Sequence, residues 1–368
     1  MRHIPMYHLV PGPTKVSPLV LNAFVENLAS SDTEDEFWDD YIGLQNALQK
    51  ILHTSNDIAI MSGEGMVILW GAIKSVLRPG DKVVSVVNGL YGEGFAQMAE
   101  GMGATVHRVE FPWDGAVNNS EVIKVIKEVN PRLVTMVHCE TPTGCLNDLS
   151  GVGPATTECG GLFLVDFVSS AGGVHLNVDA EQIDIGLLGS QKVISAPPAL
   201  AFATVSPRAW DVISVVKYSG YDAFLPFKDT GRGTGKLLPY THNWHAIVAT
   251  RIACEQLIGE GGEAVQERHM VARDVCLSSG KDMNLRLYNA ESPSPTVTAF
   301  YVPDDIEWSV LDKALRVKGV VVGGSYGNLN GKVFRIGHMG TQASKELIQE
   351  AMSVLSETLA EIRSSKSV

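Results

Sequence analysis

Basic residues are in deficit. The chain has 29 lysines and arginines against 41 aspartates and glutamates, a formal net charge of −12. Binding along a phosphate backbone needs a basic face, so nucleic acid is excluded as a partner, whereas a local basic pocket for a small anion is not. Cysteine is also scarce. Cys139, Cys145, Cys159, Cys254 and Cys276 are odd in number and irregular in spacing, with no C-x-x-C pair. That excludes a disulfide framework and leaves thiols that pack as small apolar groups. No apolar run approaches the roughly 18 to 20 residues that span a bilayer. The opening MRHIPMYHLVPGPTKV is interrupted by proline and histidine and lacks a secretory signal core. The expectation is a cytoplasmic protein. The ten histidines form no H-E-x-x-H pattern, and His242 and His245 have no carboxylate at ligand spacing, so no metal is expected.

What the chain does have is alternation. Short Val- and Ile-rich runs at 57–61, 82–87, 105–111, 132–138, 161–167, 183–189 and 199–205 are separated by helical patterns, such as 66–77, 93–103 and 119–130, and by glycine-rich turns. Continuous apolar runs of this length read as strands buried on both faces, and strand–helix alternation predicts an α/β fold with a mostly parallel sheet covered by helices. After about residue 245 the pattern changes to a long helical stretch ending near 280, strands at 296–303, 319–324 and 332–340, a helix at 308–319 and a terminal helix at 345–365. This predicts a smaller α+β domain. The expected division is an N-terminal arm over 1–20, a large α/β domain over 21–245 and a small domain over 246–368. The first forty residues contain no strong strand signal and read as an arm joining the small domain. The loop KDTGRGTGK, 228–236, reads as mobile or held by a partner chain.

Chemistry concentrates at strand ends, where parallel sheets bind ligands. Lys192 follows the run IDIGLLG in GSQK. A lone lysine there is usually a solvated turn residue, but a buried one has a lowered pKa and can form a Schiff base with a carbonyl cofactor. Asp166 ends the deeply apolar run GLFLVD, where a carboxylate is costly unless paired. The two lie 26 positions apart and end successive strands, so they can face one crevice. An aspartate for a pyridinium nitrogen and a lysine for an aldehyde define pyridoxal 5'-phosphate chemistry. SGEGM, 62–66, opens a helix and offers free N–H groups to a phosphate. Tyr91, in NGLYG, reads as a loop-tip aromatic able to stack on a flat ring. A nicotinamide dehydrogenase shares the α/β alternation, but SGEGM does not fit G-x-G-x-x-G.

The chain resembles the class V aminotransferases of the fold-type I pyridoxal phosphate enzymes, specifically the alanine/serine–glyoxylate (serine–pyruvate) branch. The resemblance runs through LVPGPTKVSPLV, RPGDKVV, NGLYG, VHCETPTGCLN, LVDFVSSAGG, GSQKVISAPPALAFATVS, SPTVTAF and VFRIGHMG. It implies an aminotransferase that moves an amino group from a small donor of the alanine or serine type to pyruvate or glyoxylate, in a ping-pong cycle through a Schiff base on Lys192. It implies that Asp166 pairs with the ring nitrogen and that Val168 and Tyr91 take the two ring faces. Glu64, Gly65 and Met66 would form the phosphate end, with Gln191 adding its side chain. Thr141 would approach the ring hydroxyl, and Arg335 would clamp the substrate carboxylate in a bidentate fork. Thr241 would reach the phosphate of a neighbouring subunit, which implies a homodimer with sites at the interface.

Two departures bear on the substrate. Relatives in the glyoxylate branch carry Ser-Gly-His where this chain has Glu64-Gly65-Met66, and a glutamate beside a phosphate is repulsive unless it turns away. Gly-Glu here, with LYGEGF and RIGHMG, also resembles the pyridoxamine–pyruvate aminotransferases, although Tyr326 stands nearest to where that group has a second arginine. SPTVTAFYVPDD resembles the 2-aminoethylphosphonate–pyruvate aminotransferases. Glu64 reads equally as a ligand or as a structural hydrogen-bond acceptor. His338 is explained as well by a core histidine as by a site residue.

Overall fold

The computed structural model describes residues 6–231 and 235–366. The first elements among the described residues are a short strand, β1 (Tyr7–Leu9), and two helices, α1 (Pro18–Phe24) and α2 (Glu36–Leu52). Next come β2 (Asp57–Ser62), α3 (Gly65–Val76), β3 (Lys82–Val87), α4 (Leu90–Gly101), β4 (Thr105–Glu110), α5 (Asn119–Val129) and β5 (Leu133–Val137). A small ribbon, β6 (Cys139–Glu140) with β7 (Cys145–Leu146), precedes α6 (Val152–Glu158), β8 (Leu162–Asp166), β9 (Ile185–Gly189), β10 (Leu200–Val205) and α7 (Pro207–Val216). The remainder is α8 (Trp244–Glu260), α9 (Gly262–Asp282), β11 (Val297–Tyr301), α10 (Trp308–Val317), β12 (Val320–Gly324), β13 (Val333–Gly337) and α11 (Lys345–Lys366).

All seven apolar runs of the first half become strands of one sheet, in the order β2-β10-β9-β8-β5-β3-β4. β10 pairs antiparallel with both its neighbours, and the other pairings are parallel. β2 therefore runs in the same direction as β9, β8, β5 and β3, and the carboxyl ends of all five open on one edge. The side chains alternate with period two. Ile58, Ile60, Val84, Val86, Val134, Met136, Phe163 and Val165 face one core with α2, α5 and α8. Ala59, Met61, Val83, Leu133, Leu162, Leu164, Ile185 and Leu187 face the other with α3, α4 and α7. Covering both faces is what lets continuous apolar runs form strands.

A second sheet has the order β1-β12-β13-β11 and packs on α9, α10 and α11 through a third core that includes Leu9, Phe300, Leu311, Phe334 and Leu355. The start of the chain contains more structure than a bare arm. β1 pairs parallel with β12, Tyr7 opposite Val320, because the edge of that sheet leaves backbone groups free to bond. Its three residues are too few for an alternation to register in the sequence. α1 starts at Pro18, and the hydroxyl of Ser17 accepts the Val20 N–H at 3.4 Å, a side-chain cap followed by proline in the first turn. α1 and α2 pack on α8. The long helical stretch expected up to residue 280 is two helices. Gly261, at φ +94°, breaks it, and α9 then continues to Asp282. Residues 232–234 of the 228–236 loop lie outside the described residues; beside them Lys236 pairs with Asp35 at 2.7 Å.

Close packing makes one fold prediction sharp. A Cβ on Gly153, in α6, would lie 1.9 Å from the backbone oxygen of Glu181. Backbone cannot yield as a flexible side chain does. Gly153→Ala is expected to destabilise the chain by about 1–3 kcal/mol and to lower the melting temperature measured by differential scanning fluorimetry. An unchanged melting temperature refutes the close approach of α6 to the 181–182 turn.

Candidate active site

At the carboxyl edge of the large sheet lies a cavity lined by Gly12, Pro13, Glu64, Gly65, Met66, Leu69, Tyr91, Thr141, Asp166, Val168, Ser169, Gln191, Lys192 and Pro198. Nine of the residues singled out from sequence are in this lining: Glu64, Gly65, Met66, Tyr91, Thr141, Asp166, Val168, Gln191 and Lys192. They come from the turns after β2, β3, β5, β8 and β9, so the strand directions bring them together.

Asp166 ends β8 and is buried, 5% exposed. Its Oδ1 accepts the Val168 N–H at 2.8 Å. Burial pushes the carboxyl up to about 6, against the pull of that N–H and of the Lys192 charge. Lys192 follows β9, which pairs parallel with β8. Its Nζ donates to the carbonyl of Pro11 at 2.5 Å. Burial brings the ammonium down to about 8, the Arg335 charge pushes the same way, and Asp166 opposes both. The turn that carries Lys192 is stapled by the N-terminal segment. The Thr14 N–H donates to the Gln191 carbonyl at 3.0 Å, and the Thr14 hydroxyl to the Lys192 carbonyl at 2.9 Å. Gly12, at φ +86°, crosses the lysine so closely that a Cβ would lie 2.5 Å from Lys192 Cδ. This contact was not read from the sequence; its signal was the turn-forming Pro-Gly-Pro at 11–13.

Glu64 is the N-cap of α3, and its Oε1 accepts the Met66 N–H at 3.1 Å. Glu64 thus makes a local hydrogen bond and also lines the cavity. Tyr91 is in the first turn of α4 and not at a loop tip, because the helix begins at Leu90, three residues earlier than expected. It is partly buried, and burial with the Asp166 charge raises its phenol to about 12. Thr141 shares a 2.5 Å hydroxyl contact with Ser169, another lining residue the sequence reading missed although it lies in VDFVSSAGG. Gln191 is 7% exposed, and its Oε1 is buried with no partner among the described residues. The cavity wall therefore carries an unused hydrogen-bonding group.

Arg335, in β13 of the second sheet, is outside the lining but next to it. It is 4% exposed. Its Nε donates to the Gly324 carbonyl at 2.7 Å, its Nη1 reaches the Thr141 carbonyl at 3.5 Å, and its guanidinium lies 4.8 Å from the ring centre of Tyr326. No carboxylate pairs with it among the described residues. Thr241 is elsewhere in the chain, exposed, with its hydroxyl donating to Asp32 at 2.7 Å. His338 is a core residue, bonded to the Thr298 hydroxyl and the Pro295 carbonyl, both at 2.8 Å. All five cysteines are free thiols. Among the described residues no His, Cys, Asp and Glu cluster suits a metal ion, and no helix is long and apolar enough to cross a membrane.

Residues 12–335 match the family described as aminotransferase class-V. The chain belongs to the class-V aminotransferases. It is 35% identical to an uncharacterised aminotransferase of Methanocaldococcus jannaschii over 92% of this chain and 89% of that one. The crystal structure of pyridoxamine–pyruvate aminotransferase from Mesorhizobium loti is similar with a TM-score of 0.93 at 28% identity, covering 98% of this chain and 93% of that one. The alanine–glyoxylate aminotransferase of a Nostoc species gives a TM-score of 0.92 at 28% identity, covering 98% and 96%. The fold is that of the fold-type I pyridoxal phosphate enzymes, and class-V aminotransferases depend on that cofactor. The cavity fits it, with a buried carboxylate and a lysine of lowered pKa at the ring end, and beside them a glutamine whose Oε1 has no partner among the described residues. At the helix end, where a phosphate would be received, a carboxylate already caps the first turn.

The lysine makes a pH prediction. The neutral amine is the form that reacts with an aldehyde. With the pKa lowered from 10.5 to about 8, half of Lys192 is neutral near pH 8. Loading of the apo chain with pyridoxal phosphate, followed by visible absorbance, should reach half its limiting rate near pH 8 and level off by about pH 9. A rate still climbing at about pH 10 means that Lys192 titrates like an exposed lysine.

Proposed function

We propose that this class-V aminotransferase moves an amino group from a small amino-acid donor, of the alanine or serine type, to a 2-oxo acid, pyruvate or glyoxylate. The observation that carries this reading is Arg335, a buried guanidinium with no carboxylate partner among the described residues, beside the Lys192 cavity. A buried charge without a counter-charge is costly, and a planar carboxylate matches its fork. Amino-acid donor and oxo-acid acceptor each carry such a carboxylate next to the reacting carbon, so one arginine serves both half-reactions. In this reading Lys192 is the residue that bonds and releases the cofactor and then moves the proton at the substrate carbon. Asp166 faces the ring nitrogen, Tyr91 and Val168 hold the ring faces, Thr141 is near the ring hydroxyl, and Gly65, Met66 and Gln191 hold the phosphate. The bound cofactor supplies an electrophilic carbonyl and an electron-withdrawing ring.

A second reading is favoured by one observation. The carboxylate of Glu64 occupies the N-terminus of α3 and takes the Met66 N–H. That suits a ligand whose corresponding end is a neutral hydroxymethyl, as in free pyridoxamine, which the Mesorhizobium enzyme's name gives as its donor.

We also infer a homodimer in the cytoplasm. Thr241 borders a different cavity from Lys192, together with Lys236 and Tyr240, so a contact between Thr241 and a phosphate needs a second copy. Exposed Trp70, Tyr221 and Leu237 support a covered face. The five free thiols suit a reducing compartment.

Separate half-reactions test the donor. Wild type is mixed with alanine, serine, glycine, 2-aminoethylphosphonate or pyridoxamine, and then with pyruvate or glyoxylate, and absorbance is followed. Arg335→Ala is expected to slow both half-reactions by roughly 10²-fold, and Arg335→Lys to recover little. A loss confined to the oxo acid, with pyridoxamine active in wild type, transfers the assignment to the second reading. No loss in either removes Arg335 from substrate binding.

A further inference from the structure

α4 begins without a cap of its own. Its N-cap is Gly89, extended at φ −180°, with no side chain to accept the free N–H groups of the first turn. Those groups are satisfied from another element. Glu140, in the β6 ribbon, accepts the Gly92 N–H at 2.7 Å on Oε1 and the Tyr91 N–H at 3.2 Å on Oε2. The glycines on either side of Tyr91 form the seat. A Cβ on Gly89 would lie 2.3 Å from Glu140 Cδ, and one on Gly92 would lie 2.6 Å from the Val86 carbonyl and 3.4 Å from Glu140 Oε1.

Glu140 is fully buried at 0% exposure, and no cation pairs with it among the described residues. A buried, unpaired carboxylate is an expensive helix cap, since a serine or asparagine at position 89 would satisfy the same turn locally. What the carboxylate does, and a local cap would not, is join two walls of one cavity. The residues that donate to it are at Tyr91 and its neighbour, and the next residue in its own chain is Thr141. Tyr91 and Thr141 both line the Lys192 cavity.

We propose that Glu140 is a positioning residue, which holds the Tyr91 wall of the cofactor cavity against the Thr141 wall by capping α4 across the fold. The proposal rests on the cofactor reading of that cavity. A glutamine at 140 keeps the shape but turns an N–H₂ towards one backbone N–H, so one of the two bonds is lost and the Tyr91 wall is released.

The test uses full-length chains titrated with pyridoxal 5'-phosphate and, separately, with pyridoxal, each followed by visible circular dichroism. Glu140→Gln is expected to raise the dissociation constant about tenfold or more and to weaken the induced signal of what binds. A second variant separates positioning from capping. In Gly89→Ser with Glu140→Ala, the serine caps α4 locally in the space the glutamate vacates, which restores the helix but not the tie to Thr141. The dissociation constant should stay raised in this double variant, while its melting temperature reports the capping contribution separately. The proposal is overturned if Glu140→Gln binds like wild type, or if the double variant recovers wild-type binding. If wild type itself takes up neither probe, the cofactor reading of the cavity fails first.

Discussion

The parallel pairing of β8 with β9 is the constraint on which the rest of the site depends. Asp166 stands opposite Leu187 in that register, so the chain leaving β8 and the chain leaving β9 emerge side by side. Asp166 and Lys192 are thereby brought to one cavity from strands whose interiors are entirely apolar. Reversing either strand would carry its terminal residue to the opposite edge of the sheet. The single reversed strand, β10, keeps this arrangement intact. Because it is antiparallel to β2 as well as to β9, β2 is returned to the common direction, and the helix start at Gly65 opens on the same edge as the lysine.

Burial then gives these groups their electrostatic character. An acidic chain concentrates two cations, Lys192 and Arg335, near one cavity; burial lowers the pKa of both, and the Arg335 charge adds to the effect on Lys192. Lys192 loses part of its hold on its proton, which a nucleophilic amine requires. Arg335 stays charged and lacks a carboxylate partner among the described residues. Buried carboxyls lie on the other side of the balance. Asp166 is moved up to about 6 and Glu140 to about 7, in both cases first by burial and against the pull of backbone N–H groups. The site thus holds groups of both signs whose charges depend on their neighbours, which is where ligand chemistry concentrates in proteins.

The second sheet completes the site from a distance in the chain. Arg335 on β13 reaches the carbonyl of Thr141, and Gly323, opposite it on β12, leaves room for Pro11, whose Cδ a Cβ there would meet at 2.9 Å. The N-terminal segment acts as a strap between the two sheets. β1 extends the small sheet, Gly12 passes over Lys192, and Thr14 bonds to the turn that holds the lysine.

Much of this was legible in the sequence, because strands buried on both faces must be apolar throughout. The runs that became β2, β3, β4, β5, β8, β9 and β10 could be read from composition alone, as could Asp166 and Lys192, the charged residues that interrupt or follow them. Local chemistry also exposed the helix start at Gly65. What the sequence by itself could not determine were the contacts made by residues with no local pattern. Three residues of β1 carry too little alternation to declare a strand, and they form one only because β12 offers a free edge. The break at Gly261 was hidden in a helical pattern that continues on both sides. Tyr91 read as a loop residue because the cap that starts its helix lies 49 positions away, at Glu140. Glu140 itself looked like any acidic residue before a turn. Its burial, like the nearness of Arg335 to Lys192, is a property of surfaces brought together by folding, and only the tertiary structure decided it.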